Sequence, residues 1–450
     1  MHGIRDNLIM ANLTRDAGAL GRLRVIADFH MHSRYSMATS ERMRVEEINR
    51  FARIKGLSIV GTGDFTHPKW LEELRETLIP EPETNLYRFA SGDNSSVRFM
   101  VTTEVSTVFA AKSGVKKVHH VILTPSLETA AQINDRLAKY GNLASDGRPT
   151  LDVNAAHLVE EVMEVSDKNI VFPAHAWTPW FSIFGAFSGF DSVEECYEDM
   201  AKHIYALETG LSSDPPMNWR LSSLDKFTLV SNSDSHSFWP WRIGREANVF
   251  ELEKPDYDDA LDAIRTKDKG RFKFTIETDP AYGKYHWTGH RNCNVSLSPQ
   301  EAIKLGNICP VCRGKLTKGV EQRVEELADR PANFKPENAV GFMRLLPLSE
   351  IIATLLGVDS PYAEKVWGVY NPLIEKFGDE YSVLIDRSKD ELSSVAGEQV
   401  AEAIVRVREG RAKVVPGYDG VYGQLVLDER IHDKTLPKRV QQLNLADFTF

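Results

Sequence analysis

Three observations predict an α/β fold followed by two smaller units. Short apolar runs alternate with helix-like stretches from about residue 23 to about residue 255, and six of those runs end on histidine, aspartate or glutamate. The pattern then changes to a cysteine-bearing segment and, beyond Pro336, to mainly helical periodicity. In a barrel of alternating strands and helices, functional groups gather where strands end and loops begin, so six such endings can converge on one site. The expected order is an α/β domain over 23–280, a small zinc-binding module over 281–335 and a mainly helical C-terminal domain over 336–428.

Residues 1–22 carry no clear pattern and are expected to be an N-terminal extension. The run Leu23-Arg24-Val25-Ile26-Ala27 reads as the first strand and delivers Asp28-Phe29-His30-Met31-His32. Side chains at i and i+2 share one face of a strand, so both imidazoles can reach one metal ion. Further runs lead into Asp64 and His67, into Glu104, and into the pair His119-His120, which Val121-Ile122-Leu123 follows. Two more lead into His175 and into Asp234 with His236. Helical stretches at 45–54, 68–77, 127–140 and 155–165 separate them. Imidazole and carboxylate suit zinc, manganese or iron, and a shared carboxylate can bridge two ions.

Residues 256–280 read as a link to the next unit. There, His290-x2-Cys293 and Cys309-x2-Cys312 stand fifteen residues apart. Two short ligand pairs held apart by a spacer predict a closed tetrahedral zinc site, with His286 as second candidate for the imidazole. Such a site stabilises a unit too small to build its own core. Cys196 reads as a buried helix residue. Helices are expected at 337–356, 361–377 and 388–409, then a hairpin turning at Pro416-Gly417-Tyr418-Asp419-Gly420.

With 450 residues, 42% hydrophobic and 26% charged, the chain has the composition of a soluble protein of two or three domains. No apolar run approaches the ~20 residues of a membrane span. No secretory pattern is evident, and three of the four cysteines cluster as metal ligands do, so a cytoplasmic location is expected. A net charge of −10 argues against generic nucleic-acid binding, which feeds on Lys and Arg. Binding DNA would require bound cations and a local basic surface. Residues 265–273 and 313–318 are the candidates, and both also read as solvated faces. The loop holding Trp177, Trp180 and Phe181 directly follows His175. It can stack on an extruded base or form an apolar lid, and the same two readings hold for 238–242.

The endings at Asp28, His30, His32, Asp64, Glu104, His120, His175, Asp234 and His236 resemble the motifs of PHP (polymerase and histidinol phosphatase) domains. With His175-Ala176-Trp177-Thr178-Pro179-Trp180-Phe181, the cysteine module and the segment from Pro416 to Gly423, the chain after residue 23 is similar to the endonuclease Q family of DNA-repair nucleases. That resemblance implies a distorted (βα)7 barrel holding two or three divalent ions (Zn, Mn or Mg), with one structural zinc outside it. It implies that His30, His32, Glu104 and Asp234 hold one ion, and that Glu104, His120 and His175 hold a second. His119 competes with His120, the run after His120 fitting the family pattern better. Catalysis would centre on Asp234, Glu104 and His175. A histidine typical of a third site would fall near Ala38, and Phe65 stands where another is usual; Asp64, His67 and His236 remain candidates for that ion.

The implied activity is cleavage of DNA on the 5′ side of uracil, hypoxanthine, xanthine or an abasic site. A small-molecule phosphatase would use the same barrel ions without needing the later modules, and a non-catalytic nucleic-acid binding protein would not need the ligand set. Finally, Gln442-Leu443-Asn444-Leu445-Ala446-Asp447-Phe448 resembles the peptide by which repair enzymes dock on the sliding clamp PCNA. In that mode Leu445 and Phe448 would enter an apolar groove beside a hydrogen-bonding Gln442. Thr449 interrupts the usual aromatic pair.

Overall fold

The computed structural model describes residues 21–90, 96–112 and 114–427. Its strands, in chain order, are Leu23–Asp28 (β1), Ile59–Gly61 (β2), Leu78–Glu81 (β3), Leu86–Phe89 (β4), Arg98–Ala111 (β5), Gly114–Thr124 (β6), Thr150–Leu151 (β7) and Ile170–Pro173 (β8). Then come Ala206–Glu208 (β9), Thr228–Val230 (β10), Ala247–Leu252 (β11), Phe272–Glu277 (β12), Thr288–His290 (β13), Val295–Leu297 (β14), Gly341–Arg344 (β15), Lys413–Val415 (β16) and Gln424–Val426 (β17).

The architecture is mixed α/β. Strands β1, β2 and β5 run parallel, β6 returns antiparallel on β5, and β8 lies antiparallel on β6. A parallel bridge Val171↔Ile204 leads from β8 to the segment before β9, and β9 pairs in parallel with β10. The bridge Met31↔Ser235 brings the segment after β10 back to the end of β1. Seven strands thus follow one another round a curved surface, with only β6 reversed. The other edge of β1 carries β11, then β12, then β15.

Local sequence accounts for the helices between them. Val45–Lys55 buries Val45, Ile48, Phe51 and Ala52. It opens on Glu46 and Glu47 and closes on Arg53 and Lys55, which complements its dipole. Gly56 then takes φ 96°, the left-handed stop that favours glycine. Ser126, Asn154 and Asp256 cap the helices Leu127–Leu137, Ala155–Met163 and Tyr257–Arg265 by accepting from backbone N–H groups.

Three expectations need correction. Residues 256–280 are not a linker, since they form the helix Tyr257–Arg265 and the sheet strand β12. The helix expected over 337–356 is a strand first: Gly341–Arg344 pairs in parallel with β12, and only Leu348–Leu356 is helical. Pro347 biases the residue before it away from helical geometry, which separates the two. The helix expected over 388–409 is two helices, Lys389–Ala396 and Glu398–Arg408, broken where Gly397 takes φ 83°.

The later helices pack onto the strand-bearing part. Lys55 and Glu380 form an ion pair at 2.7 Å with side chains 1% and 0% exposed. Lys55 Nζ also donates to Pro240 O, while Leu348 N and Tyr370 OH donate to Glu380. Among the described residues no helix is long and apolar enough to cross a membrane.

Candidate metal centre

Strand ends place most of the main site, and the expected strand ending at Glu104 is instead a strand interior. His30 and His32 follow β1, Glu104 lies within β5, His175 follows β8 and Asp234 follows β10. Three of the residues at these endings, Asp64, His175 and Asp234, have positive φ (49°, 30° and 47°). Such backbone costs of order 1–3 kcal/mol per residue and persists where the surroundings hold it, typically at functional sites.

One group joins His30, His32, Glu104 and Asp234, each offering one atom, all within 4.8 Å of one another. His32 Nε2 lies 3.1 Å from Glu104 Oε2 and 3.2 Å from Asp234 Oδ1, and His30 Nε2 lies 3.5 and 3.7 Å from the same oxygens. Yet His30 Nε2, His32 Nε2 and Asp234 Oδ1 are buried without a hydrogen-bond partner. Four donors bonded tetrahedrally at about 2.1 Å to one ion would stand about 3.4 Å apart. The orphaned atoms and their spacing therefore fit a divalent ion.

A second group joins Glu104, His119 and His175. His119 Nδ1 and His175 Nε2 stand 2.8 and 3.2 Å from Glu104 Oε1. The two groups therefore share Glu104 through its two oxygens. Burial pushes the Glu104 carboxyl up, but His119, Arg148 and His30 outweigh it and hold it well below its ordinary value. Burial lowers His119 to about 4, which keeps that imidazole neutral and free to ligate.

His120 does not join them. In the antiparallel register Ser106 faces His119 and Val105 faces His120, so His119 shares the face of Glu104 and His120 points to the opposite one. There His120 Nε2 meets Thr107 Oγ1 at 2.9 Å and Nδ1 meets Tyr197 OH at 2.8 Å. Against the family-based preference, the structure sets His119, not His120, beside Glu104 and His175.

The remaining predicted ligands stand beside the two groups. Asp64 Oδ1 is 2.9 Å from His32 Nδ1, while its Oδ2 accepts from Ser33 N and Ser33 Oγ. That contact fixes the ring so that Nε2 faces the centre. His236 packs 4.4 Å from the His32 ring, and His67 stacks on Tyr35 at 4.4 Å. Burial lowers the pKa of both.

A third group joins His290, Cys293, Cys309 and Cys312. The hairpin β13–β14 and the turn after Ile308 bring them together around a small core of Val295, Leu297, Ala302 and Leu316. His286 is instead paired with Glu321 at 3.4 Å. Three thiols and one imidazole are the donor set of a closed zinc site.

A model of the MJ0043 C-terminal domain matches residues 347–411. The uncharacterized protein MJ0043 of Methanocaldococcus jannaschii is 34% identical over 256 residues, 56% of this chain and 31% of that protein. The chain thus spans under a third of that relative. The uncharacterized protein YqxK of Bacillus subtilis is 26% identical over 392 residues, covering 82% of this chain and 89% of that one. Among solved structures, the lesion-specific endonuclease PfuEndoQ from Pyrococcus furiosus superposes with a TM-score of 0.81 at 34% identity, over 92% of this chain and 98% of that one. The chain belongs to the endonuclease Q family. A second endonuclease Q structure, in complex with a 27-mer duplex substrate carrying an abasic lesion at the active site, gives a TM-score of 0.80 at 34% identity over 94% and 100% of the two chains.

In this endonuclease Q family member the aromatic loop after His175 divides by exposure. Trp177 is buried, donates from Nε1 to Asn218 Oδ1 at 2.8 Å and packs on Phe184, so it is a core residue and not a surface for a base. Phe181 packs against His119 at 4.8 Å, and Trp180 is exposed. In the second aromatic run Trp239 and Trp241 stack at 4.9 Å and meet Trp367 of the helical part, which is packing between segments. The basic stretch 265–273 is tied up internally: Arg265 donates to Asp167 O and Asn169 O, Arg271 pairs with Asp262 and Asp268, and Lys273 pairs with Glu251.

Two residues that the sequence reading missed complete the centre. Glu208, at the end of β9, stands 3.0 Å from His30 Nδ1 through either oxygen and accepts from His175 N and Asn232 Nδ2. Arg148 donates to Glu104 Oε2 at 3.0 Å. Glu208 closes a three-residue run, Ala206-Leu207-Glu208, and its strand-end position was the signal for it. Arg148 lies in a loop, where no local pattern marks it.

Proposed function

We propose that this chain is a metal-dependent endodeoxyribonuclease that hydrolyses the phosphodiester 5′ of a deaminated base (uracil, hypoxanthine, xanthine) or an abasic site. The observation that carries this reading is the pair of ligand groups joined by Glu104 in a chain of the endonuclease Q family. The abasic duplex bound by the related endonuclease Q supports the choice of DNA.

On this reading the curved strand surface is a distorted (βα)7 PHP barrel. His30, His32, Glu104 and Asp234 hold one divalent ion, and Glu104, His119 and His175 hold another. Of zinc, manganese and magnesium, two imidazoles with carboxylates in each group suit zinc or manganese better than magnesium, which favours oxygen donors, and a third ion would lie toward Asp64, His67 and His236. Ions bound there would activate water and neutralise the attacking and leaving oxygens of an in-line displacement at phosphorus. Glu208 and Asp64 hold the His30 and His32 rings by their Nδ1 atoms, and Asp28 accepts from the backbone N–H of His30 and of Ser233. Arg148 sets a fixed positive charge beside the shared carboxylate, where a phosphodiester would bring its negative charge. The site of three thiols and one imidazole takes a structural zinc.

Metal-loaded protein is incubated with duplexes carrying uracil, hypoxanthine or an abasic site and with an undamaged control. A nick 5′ of the lesion is expected in the first set only. Equal cutting of the control, or none at all, overturns the reading, and turnover of a small phosphomonoester instead would replace it with a phosphatase. Gln442, Leu445 and Phe448 lie outside the described residues. We propose the tail 429–450 as a sliding-clamp peptide, so deleting 441–450 should abolish PCNA binding and leave nicking intact; unchanged clamp binding sinks that assignment.

A further inference from the structure

Among the described residues four aromatic side chains are strongly exposed: Trp180 (42%), Phe187 (51%), Tyr362 (62%) and Tyr422 (60%). Three of them belong to one surface. Trp180 and Phe187 stack at 4.9 Å and 16°, and the Trp180 ring meets Tyr285 edge-on at 5.4 Å. Lys284 Nζ lies 5.4 Å from the Tyr285 ring and 5.8 Å from Tyr422. Three distant segments build this surface: the loop after His175, the segment leading to the sulfur module, and the turn between β16 and β17. Backbone bonds fasten the last two together, Gly417 N donating to Ala281 O, Gly420 N to Lys284 O and Gly423 N to Tyr282 O.

The surface begins at the metal centre. Phe181, one residue from Trp180, packs against His119, and Lys117 Nζ lies 5.2 Å from the Phe181 ring. Among the described residues neither Lys117 nor Lys284 forms an ion pair, in a chain whose net charge is −10. Solvent-exposed aromatic faces cost hydration free energy unless a partner covers them. Aromatic faces interleaved with unpaired lysines match a strand of alternating bases and phosphates, whereas an apolar protein partner would leave the ammonium groups unanswered.

We propose that Trp180, Phe187, Tyr285 and Tyr422, with Lys117 and Lys284 beside them, form a stacking track for unpaired nucleotides of the DNA strand that passes the metal centre. The track rests on the nuclease reading above and extends it. On this proposal the protein holds a locally opened strand by base faces that carry no sequence code, and lesion choice lies elsewhere on the DNA-contacting surface.

The test is equilibrium binding of full-length protein to a fluorescent single-stranded oligonucleotide without a lesion, by anisotropy. Base–aromatic stacking of the usual strength predicts about tenfold weaker binding for Phe187→Ala and for Tyr422→Ala, with Tyr422→Phe close to wild type. Lys284→Gln should bind more weakly at low salt and lower the slope of log Kd against log salt by about one phosphate contact. Metal content, measured in parallel, should not change in any variant. Wild-type affinity in Phe187→Ala, Tyr422→Ala and Lys284→Gln overturns the track and leaves the face to a protein partner. If wild-type protein binds the oligonucleotide through these residues yet never nicks damaged DNA, the track stands and the nuclease reading falls. If it nicks damaged DNA while the variants bind normally, the reverse holds.

Discussion

Replacing His119 or His120 by alanine should have opposite consequences although the two are adjacent. On the proposed ligand set His119→Ala removes a donor of the second group, so metal titration should find one ion fewer with the His30 group still filled. His120→Ala leaves Tyr197 OH buried without its partner at a cost of about 1–3 kcal/mol. A lower Tm with full metal uptake is the expected outcome, and loss of an ion from His120→Ala would reverse the assignment. The choice between the two was not legible in the sequence, because it depends on which residue of β6 faces Glu104 of β5, and a strand carries no mark of its partner's register. His30, His32, Glu104, His175 and Asp234 were legible, because each ends or follows an apolar run. Glu208→Gln tests the missed carboxylate. Weakening the hold on His30 Nδ1 should lower metal affinity about 10–100-fold, as read by chelator competition, with the melting curve unchanged.

At the scale of elements, the helix Val45–Lys55 and the segment around Glu380 are joined by a buried ion pair, each charge also hydrogen-bonded to neutral neighbours. Lys55→Met strands the Glu380 carboxylate in the interior and should destabilise the chain by about 3–5 kcal/mol in denaturant unfolding. A change under 1 kcal/mol would mean that water reaches the pair. The same junction touches the metal centre: Tyr381 OH donates to Gly244 O, Gly244 N donates to Asp28 Oδ2, and Asp28 accepts from Ser233 N beside Asp234. The strand Gly341–Arg344 escaped the sequence reading because four residues give too short a pattern to distinguish strand from helix. Its pairing with β12 settles the matter through partners that lie about seventy residues earlier in the chain.

Across the whole molecule, a buried carboxyl pair makes stability depend on pH. Burial pushes Glu246 up to about 8, with Arg245 and the Thr278 N–H opposing, and burial together with Glu246 raises Glu277 well above its ordinary value. Both carboxyls sit at facing ends of β11 and β12, since Ala247 pairs with Ile276. The folded chain therefore keeps Glu246 protonated where the unfolded chain ionises it. This contribution to stability is full below the unfolded pKa near 4.5 and is lost as pH rises toward 8. Glu246→Gln should remove that part of the decline, so its Tm advantage over wild type should grow from pH 5 to pH 8. An advantage independent of pH would assign the effect to packing alone.

The amino-acid sequence by itself determined the kinds of chemistry present. Ligand-type residues at strand ends, two cysteine-bearing pairs at zinc spacing and the α/β alternation follow from local periodicity, which the chain carries wherever it folds. Only the tertiary structure decided which face of β6 meets the centre, that Trp177 is core while Trp180 is exposed, that the basic stretch 265–273 is tied up in internal hydrogen bonds and ion pairs, and that Glu208 and Arg148 stand beside the ligand groups. Each of these depends on pairing and packing between segments far apart in sequence, and the energies that fix them exist only once those segments touch.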